Sequence, residues 1–234
     1  MPALKSGQSA QLPLDLGHRT ALGREDFLVA PSNQSAVAWL DRWPDWTSGG
    51  LVVHGPAGCG KTHLAHVWQK VSGAVLLDAS ALADHDPPDL LGAHKTAIIE
   101  NAEGVGGDND LERALFHFFN FIRENGGTLL LTALTAPKSW QVGLADLSSR
   151  IAILPSVSVG TPDDTLIEAV LVKLCADRQL IVGPEVIAYL VPRMERSFAA
   201  ARSLVERLDR AALASGRRVT VPFLKETLGN EGWE

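Results

Sequence analysis

Residues 55 to 62 read GPAGCGKT, a glycine-rich turn ending in a lysine and a hydroxyl side chain. The spacing of Gly55, Gly60, Lys61 and Thr62 fits G-x-x-x-x-G-K-[ST], the pattern of a loop that cradles phosphate. Glycines let backbone N–H groups turn inward at a helix N-terminus, where phosphate oxygens can accept from them. The predicted cradle is Gly55, Pro56, Ala57, Gly58, Cys59, Gly60, Lys61, Thr62 and His63. Lys61 would reach the outer phosphates of ATP or ADP, and the Thr62 hydroxyl would hold Mg²⁺. The context fits, because LVVH before the loop reads as a strand and HLAHVWQ after it as a helix. Cys59 reads as a residue that fits the turn, since nothing nearby argues for an activated thiol. His54, His63 and His66 cluster around the loop without a further ligand at metal spacing, which favours structural or surface histidines.

A second stretch, AIIENAEG (97–104), ends an apolar run with an acid and then an amide. A strand end facing a bound triphosphate would need one acid for the metal and one to draw a proton from water. Glu100 can bind Mg²⁺ through water, but Asn101 is neutral and accepts no proton. Losing a general base costs on the order of 10²- to 10⁴-fold in rate. The expectation is a pocket that binds nucleotide and hydrolyses it poorly, if at all. The plainer alternative makes Glu100 and Asn101 a strand end and its cap.

The elements that must position these groups alternate. Brief apolar segments at 49–55, 73–80, 96–101 and 127–134 read as buried strands. KTHLAHVWQKV (61–71) and LERALFHFFNFIREN (111–125) read as helices, and the alternation predicts a parallel sheet with right-handed crossovers. SNQSAVAWLDRW (32–43) predicts a short helix capped by Ser32 or Asn33 and stopped before Pro44. Trp39, Trp43 and Trp46 suit one apolar stripe, not a base-stacking platform, and Asn109 or Asp110 is expected to cap the helix after GVGGDND.

After Pro155 the pattern becomes purely helical. Thr161 is expected as N-cap with Pro162 in the first turn, followed by helical segments at 183–194, 197–216 and 221–229. The predicted division is a tail over 1–25, an α/β nucleotide-binding core over 26–158 and a small all-helical unit over 159–234.

The 234 residues suffice for such a core and a helical appendage, and 46% hydrophobic with 21% charged residues excludes a disordered chain. A net charge of −6 builds in no pull toward DNA or anionic lipid, so direct sequence-specific DNA binding is not expected. Two cysteines far apart suit a reducing cytosol, and no signal peptide or membrane-spanning stretch is evident, so a cytoplasmic protein is expected.

With the loop placed, neighbouring segments resemble a known family. FLVAPSNQSAVAWL (27–40), GPAGCGKTHLAH, LLLTALTAPKSW (129–140) and LADLSSRI (144–151) are similar, in order, to the AAA+ core of the replication initiator DnaA. FAAARSLVERLDR (198–210) resembles its second-sensor helix. The chain stops where DnaA continues into a helix-turn-helix domain. With QLPLDL (11–16) in front, this short form resembles the Hda group of DnaA-related regulators, which inactivate DnaA after replication starts.

The resemblance implies a fold and a set of roles. It implies an AAA+ P-loop core with a helical lid. Leu28, Val29 and Asn33 would border adenine, although core packing with an Asn cap explains them equally well. Glu100 and Asn101 occupy the Walker B position, usually two acids. The first sensor departs too, with Ala133 and Leu134 after Thr132 and only Thr132 or Thr135 as substitutes. Arg150 falls at the arginine-finger position, serving a neighbour's active site. Arg202 matches the second sensor, against the alternative of pairing with Glu206 at i+4. Gln11, Leu12, Leu14 and Leu16 resemble the peptide that docks on the replication sliding clamp. The partners implied are DnaA and the clamp, with a homodimer left open, and the resident nucleotide implied is ADP. Competing readings are a helicase loader and a small-molecule kinase using the same loop.

Overall fold

The computed structural model describes residues 28–229. Five strands form one fully parallel sheet: β1 (Gly50–His54), β2 (Val75–Asp78), β3 (Thr96–Glu100), β4 (Thr128–Ala133) and β5 (Ser156–Ser158), in the order β2–β3–β4–β1–β5. Successive strand side chains point to opposite faces, and here both faces are covered. Val52, Ala97, Ile99, Leu129, Leu131 and Ala133 face one core. Leu51, Val53, Ile98, Leu130 and Val157 face the other.

The first face is sealed by α4 (Asn109–Glu124) and α5 (Ala145–Ala152). In α4 the residues Leu115, Phe118, Phe119 and Ile122 recur at helical spacing and are buried, each such side chain contributing about 1.5–3 kcal/mol of burial. The second face is sealed by α1 (Gln34–Leu40) and α2 (Lys61–Ser72). Trp46 stacks on Trp68 at 5.1 Å and Trp43 meets it edge-on at 5.9 Å. The tryptophans are therefore packing groups, but α1 ends at Leu40, so Trp43 and Trp46 come from the turn beyond it. A short α3 (Pro87–Leu91) precedes β3.

Beyond β5 lie α6 (Asp164–Asp177), α7 (Pro184–Leu190), α8 (Phe198–Ser215) and α9 (Val221–Leu228), which share a core of their own around Ile167, Leu171, Val205 and Leu208. Two predicted caps are corrected. Asp163, not Thr161, caps α6, accepting from Leu166 N at 2.8 Å. Asp108, not Asn109 or Asp110, caps α4, accepting from both Asp110 N and Leu111 N. In each case a carboxylate one or two residues away competes for the same orphan N–H groups at the helix start. Among the described residues no helix is long and apolar enough to cross a membrane.

Candidate functional site

The phosphate loop joins the carboxyl end of β1 to α2, so its N–H groups point off the edge of the sheet at a helix N-terminus. Gly58 and Gly60 adopt φ of 71° and 102°, conformations that side-chain-bearing residues rarely take. Their N–H groups reach no backbone carbonyl among the described residues. Lys61 Nζ folds back onto its own loop, donating to the carbonyls of Gly55 at 2.7 Å and Pro56 at 2.9 Å. Thr62 is exposed at the start of α2. This donor set fits a polyphosphate: free N–H groups, a mobile ammonium and an accessible hydroxyl. Burial and the nearby Lys61 cation lower the His54 pKa, favouring the neutral ring. Burial raises that of Cys59, leaving an inert thiol. Among the described residues no cluster of three His, Cys, Asp or Glu side chains could hold a metal, and His63 and His66 are exposed.

The strand ends adjoin as parallel register requires. Ile99 pairs with Leu131 and Val53 with Thr132, which puts Glu100 one step further along, level with Thr132 and one strand removed from β1 and its loop. Asn101 follows in the left-handed region with φ 56°, which asparagine tolerates better than most residues. Its side chain turns sideways and donates to Asp78 on the neighbouring strand. Thr132 is buried at the end of β4, while Leu134 is exposed.

Asn33 is buried and fully engaged: its Oδ1 accepts from Ala30 N at 2.9 Å and its Nδ2 donates to Leu28 O at 3.0 Å. It locks the turn that carries Leu28 and the exposed Val29, and its side chain makes no cap bond to α1. The Ser32 carbonyl accepts from Gly160 N, tying this turn to the segment that leads into the helical unit.

The helical unit touches the loop directly, a contact no sequence motif announced. Phe198 N donates to Gly58 O at 2.9 Å. A Cβ on Gly58 would come within 2.5 Å of Ser197 Cβ, and one on Gly60 within 2.8 Å of the Phe198 ring. Ser197 caps α8 by accepting from Ala200 N. Arg202 lies four residues beyond Phe198, on the same side of α8. It has no hydrogen bond or ion pair among the described residues, because Glu206, its expected i+4 partner, pairs with Arg178 at 3.2 Å.

Arg150 lies elsewhere, half-buried in the last turn of α5. Just past that turn, the Ile153 carbonyl accepts from the Ser48 hydroxyl at 3.0 Å. Ser48 precedes β1, whereas the phosphate loop follows it, so a whole strand, roughly 13 Å at about 3.3 Å per residue, separates the two edges. Sequence reasoning also missed Glu112. Its carboxylate is buried on α4 and accepts from Gly107 N, Gly143 N and Leu144 N at 3.0, 2.9 and 2.7 Å. It thereby pins the start of α5, the helix that carries Arg150. The clamp-like peptide Gln11, Leu12, Leu14 and Leu16 falls outside the described residues.

Residues 163–228 match the family model described as Hda, lid domain. The carboxyl-terminal helical unit is thus similar to the lid domain of Hda. Domain III of the Thermotoga maritima replication initiation protein DnaA superposes with a TM-score of 0.74 at 16% identity, covering 90% of this chain and 96% of that one. AMPPCP-bound DnaA from Aquifex aeolicus gives 0.66 at 17% identity, over 85% of this chain and 68% of that one. A replication initiator DnaA bound to AMPPCP and single-stranded DNA gives 0.66 at 16%, over 85% and 69%. The chain thus spans about two thirds of those two proteins. Together these likenesses show a core with the fold of DnaA domain III, followed by a helical unit similar to the Hda lid domain.

Proposed function

We propose that this chain is a nucleotide-bound regulator that switches off DnaA by stimulating hydrolysis of the ATP that DnaA holds. Arg150 would act as an arginine finger in trans. The observation that carries this reading is the separation of Arg150 from the chain's own phosphate loop by the length of β1. A cation there is out of position for its own nucleotide and exposed to a neighbour's. Elsewhere such a guanidinium is worth about 10³- to 10⁵-fold in rate.

The chain's own pocket would keep its nucleotide, most readily ADP, largely unspent. Gly55 to His63 would surround the phosphates, Leu28, Val29 and Asn33 the base, and Arg202 would approach the phosphates from the lid. Mg²⁺, held by Thr62 and Glu100, would neutralise phosphate charge. Asn101 supplies no base, and its amide is committed to Asp78. Residues 11–16 would tether the protein to the sliding clamp in the cytoplasm.

Arg150→Ala tests the mechanism. It should leave ADP binding and thermal unfolding unchanged while reducing stimulated hydrolysis by ATP-loaded DnaA at least a hundredfold, a cautious figure within the range for such groups. Undiminished stimulation rules the finger out.

A further inference from the structure

Arg150 does not stand alone on its edge of the sheet. It shares a groove of about 290 Å³ with Asn120, Arg123 and Glu124 from the last two turns of α4. The stem of Arg123 passes over Gly49, where a Cβ would lie 4.0 Å from its Cγ, so it too belongs to the amino-terminal edge of β1. Neither guanidinium has a hydrogen bond or ion pair among the described residues, and Glu124, though it lines the same groove, is within salt-bridge range of neither. A cation in the last turn of a helix complements the helix dipole, which explains each arginine singly. It does not explain why two helices bring theirs to one cavity and leave both unpaired although Glu124 lines it too, in a chain of net charge −6. The like charges repel, and an incoming polyanion would relieve them.

We infer that Arg123 is a second phosphate-directed cation, acting with Arg150 on the polyphosphate of the nucleotide held by the partner subunit. The inference rests on the trans reading of Arg150. Asn120 adds an amide donor to the same cavity. Two guanidinium groups from separate helices can engage different oxygens of a polyphosphate, whereas one planar fork satisfies a single phosphate or carboxylate. Glu112 keeps the helices in fixed relation, so the spacing of the two cations is set before the partner arrives.

The test uses the full chain with sliding clamp loaded on DNA, and DnaA carrying either ATP or ADP. Arg123 is exposed, so Arg123→Ala should fold normally. It should reduce maximal stimulated hydrolysis roughly ten- to a hundredfold, the worth of one charge-assisted contact. It should also erase any preference in binding for ATP-loaded over ADP-loaded DnaA, and Arg123→Lys should restore part of both. Equal weakening of binding to the two forms, with the maximal rate retained, would mean that Arg123 meets a protein carboxylate and would overturn the inference. So would an unaltered Arg123→Ala variant beside an inactive Arg150→Ala. Failure of the underlying reading looks different, because Arg150→Ala would then stimulate as well as the wild type.

Discussion

The Asn101 side-chain nitrogen lies 2.6 Å from Asp78 Oδ2, bridging the ends of β3 and β2. This contact, together with two bonds from Ser80, holds the Asp78 carboxyl below its usual range, the Ser80 side chain contributing most. The amide that follows Glu100 is thus a lateral tie between strands. Asn101→Asp should set two carboxylates against each other. Stability at neutral pH should fall by about 1 kcal/mol through the lost bond and recover toward acid pH as one of the pair takes a proton. Phosphate release by the isolated protein should stay slow, since the new carboxylate inherits a sideways direction. A gain of a hundredfold or more in that assay would show the tie to be incidental.

Contact between lid and loop makes Gly58 a sensitive position. Gly58→Ala forces a Cβ to within 2.5 Å of Ser197 Cβ and does so at φ 71°. Since the clash is with the cap of α8, relief requires the lid to withdraw. Unfolding should become easier by about 1–3 kcal/mol, and affinity for a fluorescent ADP analogue should fall with it. A fully stable variant that still binds the analogue would mean that the lid does not rest on the loop.

Arg202 offers the opposite signature. It is exposed and has no partner among the described residues to lose, so Arg202→Ala should change unfolding by no more than about 0.5 kcal/mol. If the side chain reaches the phosphates, ADP affinity should drop roughly tenfold or more. Titration with the same analogue decides between a phosphate contact and a solvated helix charge.

How legible all this was depends on the kind of signal. β1, β3 and β4 are runs of mostly buried apolar residues and β2 a partly buried apolar run, each bounded by glycine or polar turns, and the sheet they form followed from that pattern. β5 has three residues and one buried side chain, Val157, so no periodicity marks it. The glycine-rich turn between β1 and α2 was readable because its pattern sits in consecutive positions. Glu112 was not, because a glutamate in the first turn of an amphipathic helix reads as solvent-facing, and its three donors come from loops five to thirty-two residues away. The same holds for Ser197 and Phe198, whose meaning lies in touching Gly58 and Gly60 from far along the sequence. The separation of Arg150 from the loop is likewise a property of the sheet, not of any motif.

Glu112 gives the sharpest prediction of stability. Desolvation alone would raise its pKa, yet the N–H groups of Gly143, Leu144 and Gly107 outweigh burial and hold the carboxyl below its usual range. A depressed folded-state pKa contributes stability that is complete above the unfolded value, about 4.3. The contribution fades as pH falls through the folded-state value. Glu112→Gln keeps the shape but turns an NH₂ donor toward N–H donors, leaving buried groups unpaired at a cost of about 1–3 kcal/mol. Urea unfolding across a pH series should therefore show a constant gap between wild type and variant at neutral pH that narrows below about pH 4. Because the same carboxylate pins the start of α5, the variant should also stimulate DnaA less at saturating concentration. A gap that persists unchanged into acid would mean that the charge on Glu112 is not what holds the helix.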